Sequence, residues 1–286
     1  MERTVENAPA KINLWLNVVG RRPDGYHLLH SLVAFGDLAD TVEAHPSDSG
    51  LTLTLDGPGA TALAGEADNL VLKAARLLAV EAGVAANAAL HLTKRIPVAA
   101  GLGGGSADAA AALRALCRLW RVALAPERLQ AIAVRIGADV PMCLTSEPAL
   151  VTGIGERLAA VPPLPACGLL LVNPGVALPT RDVFAARRGA FSPETPTGSW
   201  SDLAGFAAAL AAHGNDLTEA AASLQPAVGE VLHALRESAA VRHSAMSGSG
   251  ATCFALYATE AEAERAASSL PSAWWRHVGR FASLGA

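Results

Sequence analysis

A cluster of glycines just before a predicted helix limits how this chain can fold more than any other feature. The run 101–105 holds four glycines in five positions, and Ser106 then opens an alanine-rich segment that predicts a helix to about Trp120. Backbone N–H groups in such a run can approach a ligand closely, and a helix N-terminus favours an anion. The segment 97–106 therefore predicts a strand–loop–helix unit that binds a phosphate chain or, in a simpler reading, a tight glycine-rich connection.

The spacing of these glycines excludes the two commonest nucleotide-binding motifs. A P-loop needs a lysine after its last glycine, and none follows here. A dinucleotide fingerprint needs a sixth-position glycine, but counting from Gly101 gives Ser106 and counting from Gly103 gives Asp108. No GxSxG elbow forms around Ser106 or in 247–250 either, so a serine hydrolase has no support.

Charge and composition set the class of protein. The 286 residues include 22 basic and 26 acidic side chains, a net charge of −4, which argues against a nucleic-acid binder held by basic charge. Hydrophobic residues make up 51% and charged residues 17%, enough apolar material for one large or two small packed domains.

Membrane insertion and disulfide or metal frameworks are not expected. The longest uncharged stretch covers 23 residues, 158–180, but five prolines interrupt it. The N-terminus lacks an apolar signal core, and the four cysteines are widely spaced with no CxxC pair. These features predict a cytoplasmic protein with no protein-held metal site.

Hydrophobic periodicity predicts an α/β N-terminal part, 1–155, and an α+β C-terminal part, 156–286. In the first part, Asp68 is the expected cap of a helix over 69–82 that stops at Gly83, and Pro126 opens another helix that closes at Gly137. The expected strands cover 11–19, 26–35, 41–44, 51–55 and 89–94. In the second part we expect strands at 168–172, 252–257 and 276–281, helices at 203–213, 227–239 and 260–269, and a mobile loop at 187–199.

Two charged side chains, a lysine and an aspartate, are candidates for a reaction centre, and each has a simpler alternative. Alternation over 11–19 places Lys11 and Asn13 on one strand face, and Lys11 is one of only three lysines among 22 basic residues. It is either a solvated strand residue or a cation beside a reacting group. Asp139 lies between a helix-ending glycine and Val140-Pro141, so it can be a helix cap, a carboxylate that accepts a hydroxyl proton, or both at once.

An aromatic pair follows a predicted turn. Tyr26 and His27 come directly after the turn at 21–25. They are either a hairpin flank or a ring and a donor–acceptor edge suited to a pyrimidine.

Several segments together resemble a known kinase superfamily. The glycine run resembles the phosphate loop of the galactokinase, homoserine kinase, mevalonate kinase and phosphomevalonate kinase superfamily. Further segments, in consistent order, resemble the 4-diphosphocytidyl-2-C-methyl-D-erythritol kinase family within it; they are residues 8–14, 21–27, 68–70, 94–97, 137–141, 153–156 and 247–252. Gly-Tyr-His at 25–27 and Gly-Ala-Asp-Val-Pro at 137–141 are the most specific of these.

The resemblance implies a fold and a reaction. The fold would be a two-domain small-molecule kinase, with an ATP-binding N-terminal domain, a ferredoxin-like C-terminal domain and the active site in the cleft between them. The reaction would transfer the ATP γ-phosphate, with Mg²⁺, to the 2-hydroxyl of 4-diphosphocytidyl-2-C-methyl-D-erythritol in the non-mevalonate route to isoprenoid precursors. Its partners would be these small molecules and no nucleic acid or membrane, and the chain would act as a monomer or weak dimer. The alternatives are another small-alcohol kinase and a catalytically silent binder on the same fold.

The resemblance also assigns roles to individual residues. Asp139 would be the catalytic base with Lys11 beside it, and residues 247–252 would lie beside the phosphate loop. The ATP-binding residues would be Asn69, Lys94, Pro97, Ala99, Ala100, Gly101, Leu102, Gly103, Gly104, Gly105, Ser106 and Ala107. The substrate-binding residues would be Asn13, Tyr26, His27, Thr180 and Phe184, with Tyr26, His27 and Phe184 around the cytosine. Without the family, Lys94 is a strand-end charge and Phe184 a core residue.

Overall fold

The computed structural model describes residues 3–63 and 69–282, which form two compact units. The first unit contains the chain up to Lys11, Leu38–Val98 and Gly103–Ser146. The second contains Ile12–Asp37, Ala99–Leu102 and the chain from Glu147 onward. Each unit is therefore built from three separate segments of the chain, whereas each predicted domain, 1–155 and 156–286, was one continuous segment.

Two long strands explain this division, because each contributes residues to both units. Strand β1 covers Thr4–Arg21 and β2 covers His27–His45. The sequence predicts two shorter strands, 26–35 and 41–44, in place of β2. The strand instead continues, and Asp37 N donates to Arg280 O at 3.0 Å.

The sheet of the first unit uses the C-terminal part of β2. It pairs antiparallel with β4 (Ala88–Thr93), from Thr41 opposite Thr93 to His45 opposite Ala89. Strand β4 in turn pairs parallel with β3 (Leu51–Asp56). The predicted strands at 51–55 and 89–94 are thus confirmed.

Helices complete the first unit: α1 (Ala60–Leu63), α2 (Leu70–Ala82), α3 (Gly104–Leu119), α4 (Pro126–Ile136) and α5 (Val140–Thr145). Asn69 caps α2, because its Oδ1 accepts Val71 N at 2.9 Å, and the left-handed Gly83 ends the helix. The expected cap, Asp68, lies outside the described residues. Helix α3 buries most of its alanines, so the glycine run leads into a core helix.

The second unit contains two pieces of sheet. The N-terminal part of β2 pairs with β5 (Ala149–Gly153), which pairs with β6 (Arg157–Ala160). An antiparallel sheet holds β7 (Gly168–Asn173), β8 (His243–Met246), β9 (Cys253–Tyr257) and β10 (Trp275–Gly279) in the order β10-β7-β9-β8. With helices between β7 and β8 and between β9 and β10, this is the expected ferredoxin-like arrangement.

The helices of the second unit are α6 (Thr180–Ala186), α7 (Leu203–His213), α8 (Thr218–Leu224), α9 (Pro226–Arg236) and α10 (Glu260–Ser269). Residues from α8, α9 and α10 pack with those of β7 and β9 in one hydrophobic core. Helix α8 was not expected, because its seven residues are too few to show a helical period. Residues 187–199 contain no helix or strand, as expected for a loop.

No helix in the described part of the chain is long and apolar enough to cross a membrane.

Candidate active site

In the first unit, a buried ammonium lies beside an accessible carboxylate. Lys11 Nζ lies 3.2 Å from Asp139 Oδ2, and the side chains are 7% and 41% exposed. Asp139 occupies the N-cap position of α5, but its side chain makes no capping hydrogen bond there. Of the two readings of Asp139, the structure thus favours a carboxylate held beside a cation and open to a ligand.

The second half of the glycine run packs directly against this pair. Gly103 has φ +62°, and a Cβ built on it would lie 2.9 Å from Lys11 Cε. Helix α3 begins at the next residue, so its first turn, which includes Ser106, starts beside Lys11. Within the first unit, the end of the predicted phosphate loop, from Gly103 onward, thus lies beside the predicted catalytic pair.

The first half of the glycine run is anchored within the second unit. Ala100 O accepts Thr252 N at 3.2 Å, and Gly101 O accepts Ser247 Oγ at 3.1 Å. Gly101 has φ +77°, and a Cβ on it would lie 2.5 Å from Gly250 O, so a side chain is excluded there. The Ser247–Thr252 segment lies beside the loop, as the resemblance implied.

Two of the three aromatic residues expected around a cytosine contact each other. His27 stacks on Phe184 of α6, with ring centroids 4.9 Å apart and 27° between the planes. Tyr26 precedes His27 and is 59% exposed. Burial lowers the pKa of His27, with smaller contributions from the positive charges of Arg21 and Arg187. The imidazole is therefore neutral at pH 7, with one nitrogen to donate and one to accept.

Hydrogen bonds to serines fix the other two expected substrate residues. Asn13 Nδ2 donates to Ser31 Oγ at 2.8 Å, and Asn13 N donates to Ser247 Oγ at 3.1 Å. Thr180 Oγ1 lies 2.8 Å from Ser249 Oγ. Ser31 was not predicted as a site residue, since nothing distinguishes a lone serine on a strand. The other two serines, Ser247 and Ser249, belong to the Ser-Gly-Ser-Gly run at 247–250, which the resemblance had already placed beside the phosphate loop.

Two residues expected to bind ATP also have clear structural functions. Asn69 caps α2, as described above. Lys94 is only 2% exposed, and its ammonium is paired with Asp40 and Asp108. It is therefore not a solvated strand-end charge.

The two functions of Asn69 can be separated by substitution. Asn69→Ser keeps a capping oxygen and should leave the melting temperature close to wild type, whereas Asn69→Ala should lose about 1 kcal/mol of stability. If the Asn69 amide also binds ATP, both variants should raise the KM for ATP. An unchanged KM in the stable serine variant would restrict Asn69 to capping.

Known proteins match this chain along almost its whole length. Residues 69–147 match the model of the GHMP kinases N terminal domain, and 193–277 match GHMP kinases C terminal. The 4-diphosphocytidyl-2-C-methyl-D-erythritol kinase of Paramagnetospirillum magneticum is 54% identical over 94% of this chain and 95% of its own. The corresponding kinase of Ruegeria pomeroyi is 50% identical over 96% and 97%.

The chain belongs to the 4-diphosphocytidyl-2-C-methyl-D-erythritol kinase family. A crystal structure of 4-(cytidine 5'-diphospho)-2C-methyl-D-erythritol kinase matches this kinase with a TM-score of 0.82 and 37% identity, covering 98% of this chain and 99% of the other. Homoserine kinase from Cytophaga hutchinsonii matches with a TM-score of 0.71 over 98% and 95%, but at 18% identity it shares the fold alone. The two-domain kinase fold expected from the sequence is thus confirmed.

Proposed function

We propose that this kinase transfers the γ-phosphate of ATP to the 2-hydroxyl of 4-diphosphocytidyl-2-C-methyl-D-erythritol, giving the 2-phosphate and ADP in the non-mevalonate route to isoprenoid precursors. The family supports the reaction, and one observation carries the site: the Lys11–Asp139 pair lies against Gly103 at the start of α3. A proton acceptor, a cation and a phosphate-binding helix start are the groups that phosphoryl transfer to an alcohol requires.

Asp139 and Lys11 would have separate roles in the chemical step. The Asp139 carboxylate accepts the proton of the attacking hydroxyl as its oxygen bonds to the γ-phosphorus, and the bond to the bridging oxygen of ADP breaks. Lys11, held 3.2 Å from that carboxylate, offsets negative charge on the transferring group. Asn13, two residues along β1, would orient the substrate while Ser31 fixes its amide.

The glycine run would bind the triphosphate. Its N–H groups and the positive end of the α3 dipole favour anionic oxygens, and glycines let those oxygens approach the backbone. Mg²⁺ would accompany ATP and offset phosphate charge. No group of three His, Cys, Asp or Glu side chains in the described ranges could hold a metal. A Mg²⁺ ion held mainly by the ATP phosphates and by water would not need such a group of side chains, since Mg²⁺ keeps several waters and needs only one or two carboxylates.

His27, Phe184 and Tyr26 would bind the cytosine, with Thr180 at the start of α6 as a further substrate contact. A neutral His27 offers both a donor and an acceptor to the pyrimidine edge, and the rings of Phe184 and Tyr26 offer stacking surfaces. All four cysteines are free, which suits the reducing cytoplasm that we propose as the location. We further propose that the chain acts as a monomer or weak dimer.

An ADP-release assay with three alcohols tests the proposed substrate. The purified protein is given ATP and Mg²⁺ with the cytidyl substrate, mevalonate or homoserine in parallel. We expect ADP only with the cytidyl substrate. Release with homoserine or mevalonate alone would assign a different acceptor, and no release with any of them would support a silent binder.

The Tyr26→Ala variant tests the cytosine pocket. Losing one stacked ring costs on the order of 1–3 kcal/mol, so the KM for the cytidyl substrate should rise roughly ten- to a hundredfold. The KM for ATP should barely change. Tyr26→Phe is the matched control, because it keeps the ring and should stay near wild type. An ATP effect as large as the substrate effect would remove Tyr26 from the cytosine pocket.

A further inference from the structure

Three charged side chains form a buried cluster beneath the glycine run. Lys94 Nζ donates to Asp40 Oδ2 and, at 2.7 Å, to Asp108 Oδ2. The three side chains are 2%, 0% and 3% exposed, respectively. With all three ionised the cluster carries one net negative charge, which is costly so far from water.

The two carboxylates of this cluster are not equivalent. Asp40 is fully bonded, because its Oδ1 also accepts the backbone N–H groups of Arg95 and Ile96. Asp108 Oδ1 is buried and has no hydrogen-bond partner among the described residues. A proton added to the cluster therefore belongs on Asp108, the less fully hydrogen-bonded carboxylate, where it removes the excess negative charge of the cluster at the lowest cost.

The charges around Asp108 agree with this assignment. Burial raises the pKa of Asp108 to about 8; the positive charge of Lys94 opposes the shift and the negative charge of Asp40 adds to it. Burial lowers the pKa of Lys94, but the charges of Asp108 and Asp40 and their hydrogen bonds outweigh it and raise that pKa. With Asp108 protonated, the ion pair with Asp40 remains to hold the ammonium in its charged form. On the α5 side of Asp108 lies Cys143, whose own pKa burial raises, so that it stays a neutral thiol.

The cluster lies close enough to the start of α3 for its net charge to act on a triphosphate bound there. A Cβ on Gly104, the first residue of α3, would come 2.8 Å from Lys94 Nζ. Asp108 lies one turn further along the same helix. A net negative charge at this helix start would oppose the attraction that its N–H groups and dipole exert on an anion, whereas a neutral cluster would not.

We propose that Asp40, Lys94 and Asp108 are positioning residues for the phosphate loop, and that Asp108 must be protonated for the loop to bind a nucleoside triphosphate tightly. This rests on the proposed function in one respect, the binding of ATP at the glycine run. Lys94 then acts on ATP through the start of α3, as part of a cluster that is neutral at neutral pH. As the pH rises through 8 the cluster gains a negative charge, and ATP affinity falls.

Direct binding of a non-hydrolysable ATP analogue tests this without any acceptor substrate. Its Kd with Mg²⁺ is measured by calorimetry from pH 7.5 to 9.5, where the triphosphate is already ionised. An extra buried charge close to the phosphates should raise the wild-type Kd roughly tenfold across this range. Asp108→Asn keeps the shape and an oxygen for Lys94 but cannot ionise, so its Kd should stay level. Asp48→Asn, at an exposed position of the same unit, should follow the wild-type curve.

The possible outcomes separate this inference from the proposed reaction. A wild-type Kd that does not change with pH, or an equal rise in Asp108→Asn, would overturn the role of Asp108. Absence of analogue binding to folded wild-type protein would overturn it together with the phosphate-loop assignment. Normal pH-dependent binding without phosphate transfer to the cytidyl substrate would support the inference and reject the proposed acceptor.

A measurement on the unaltered protein covers the case in which Asp108→Asn does not fold. Carboxyl ¹³C signals of Asp-labelled wild-type protein should include one that titrates near pH 8. If every aspartate carboxyl titrates below pH 6, the proposal is wrong.

Discussion

Replacing Asp139 by asparagine should lower kcat by roughly two or more orders of magnitude while leaving the KM for ATP almost unchanged. The amide has the same shape and can still face Lys11, but it cannot take the hydroxyl proton. Because the Asp139 side chain makes no capping hydrogen bond at α5, stability should change little. The measurement is steady-state ADP release with the cytidyl substrate, together with a thermal melt.

Asp202→Asn is the control for this variant. Asp202 also occupies a helix N-cap, but there the carboxylate accepts Gly205 N at 2.8 Å, a bond that asparagine can keep. Turnover of this control should match wild type. Near-normal turnover in Asp139→Asn would instead reduce Asp139 to a helix-start residue and require another base.

The Gly103→Val variant should lose ATP affinity by at least tenfold and should also lose kcat. Two physical effects combine at this position. The left-handed φ of +62° disfavours a β-branched residue by about 1–3 kcal/mol, and the new Cβ would lie 2.9 Å from Lys11 Cε. The side chain therefore disturbs both the phosphate loop and the cation beside Asp139. Calorimetry with the ATP analogue and single-turnover kinetics measure the two losses separately.

Gly50→Val controls for backbone strain alone. Gly50 has φ +84°, but nothing lies within 4 Å of a Cβ built there. This variant should lose a similar amount of stability and keep its ATP affinity. If Gly103→Val lowers only the melting temperature, as Gly50→Val should, the nucleotide binds elsewhere.

The sequence predicts local features of this fold well, since they depend on neighbouring residues. The cap and stop of α2 differ from expectation by one residue at most, and Pro126 begins α4 as expected. The length of β2 was not predictable in this way. The expected strands 26–35 and 41–44 are joined into one, and the residues between them pair with a distant part of the chain: Asp37 N donates to Arg280 O, more than 240 positions away.

The same contrast between local patterns and long-range contacts applies to the candidate site. The glycine run and the motif that contains Asp139 are visible in the sequence, but the 3.2 Å approach of Lys11 to Asp139 is not, because the two residues lie far apart in the chain. The cluster around Lys94 was missed, because Asp40, Lys94 and Asp108 lie on a strand, a loop and a helix that meet only in the folded chain. Buried Asp108 has no local sequence pattern that sets it apart from an exposed helix residue.

The path of β1 limits how this protein can be truncated. The strand passes from the first unit into the second after Lys11, and beyond that point it depends on residues far along the chain: Leu16 N donates to Gly214 O, and Val18 N donates to Asp216. A fragment ending near residue 155 would keep 12–37 but lack these partners, leaving buried strand edges unpaired. Because the segments of the two units alternate along the chain, no single peptide bond within residues 3–63 and 69–282 separates one unit from the other, and work on isolated domains would require re-ordering the polypeptide.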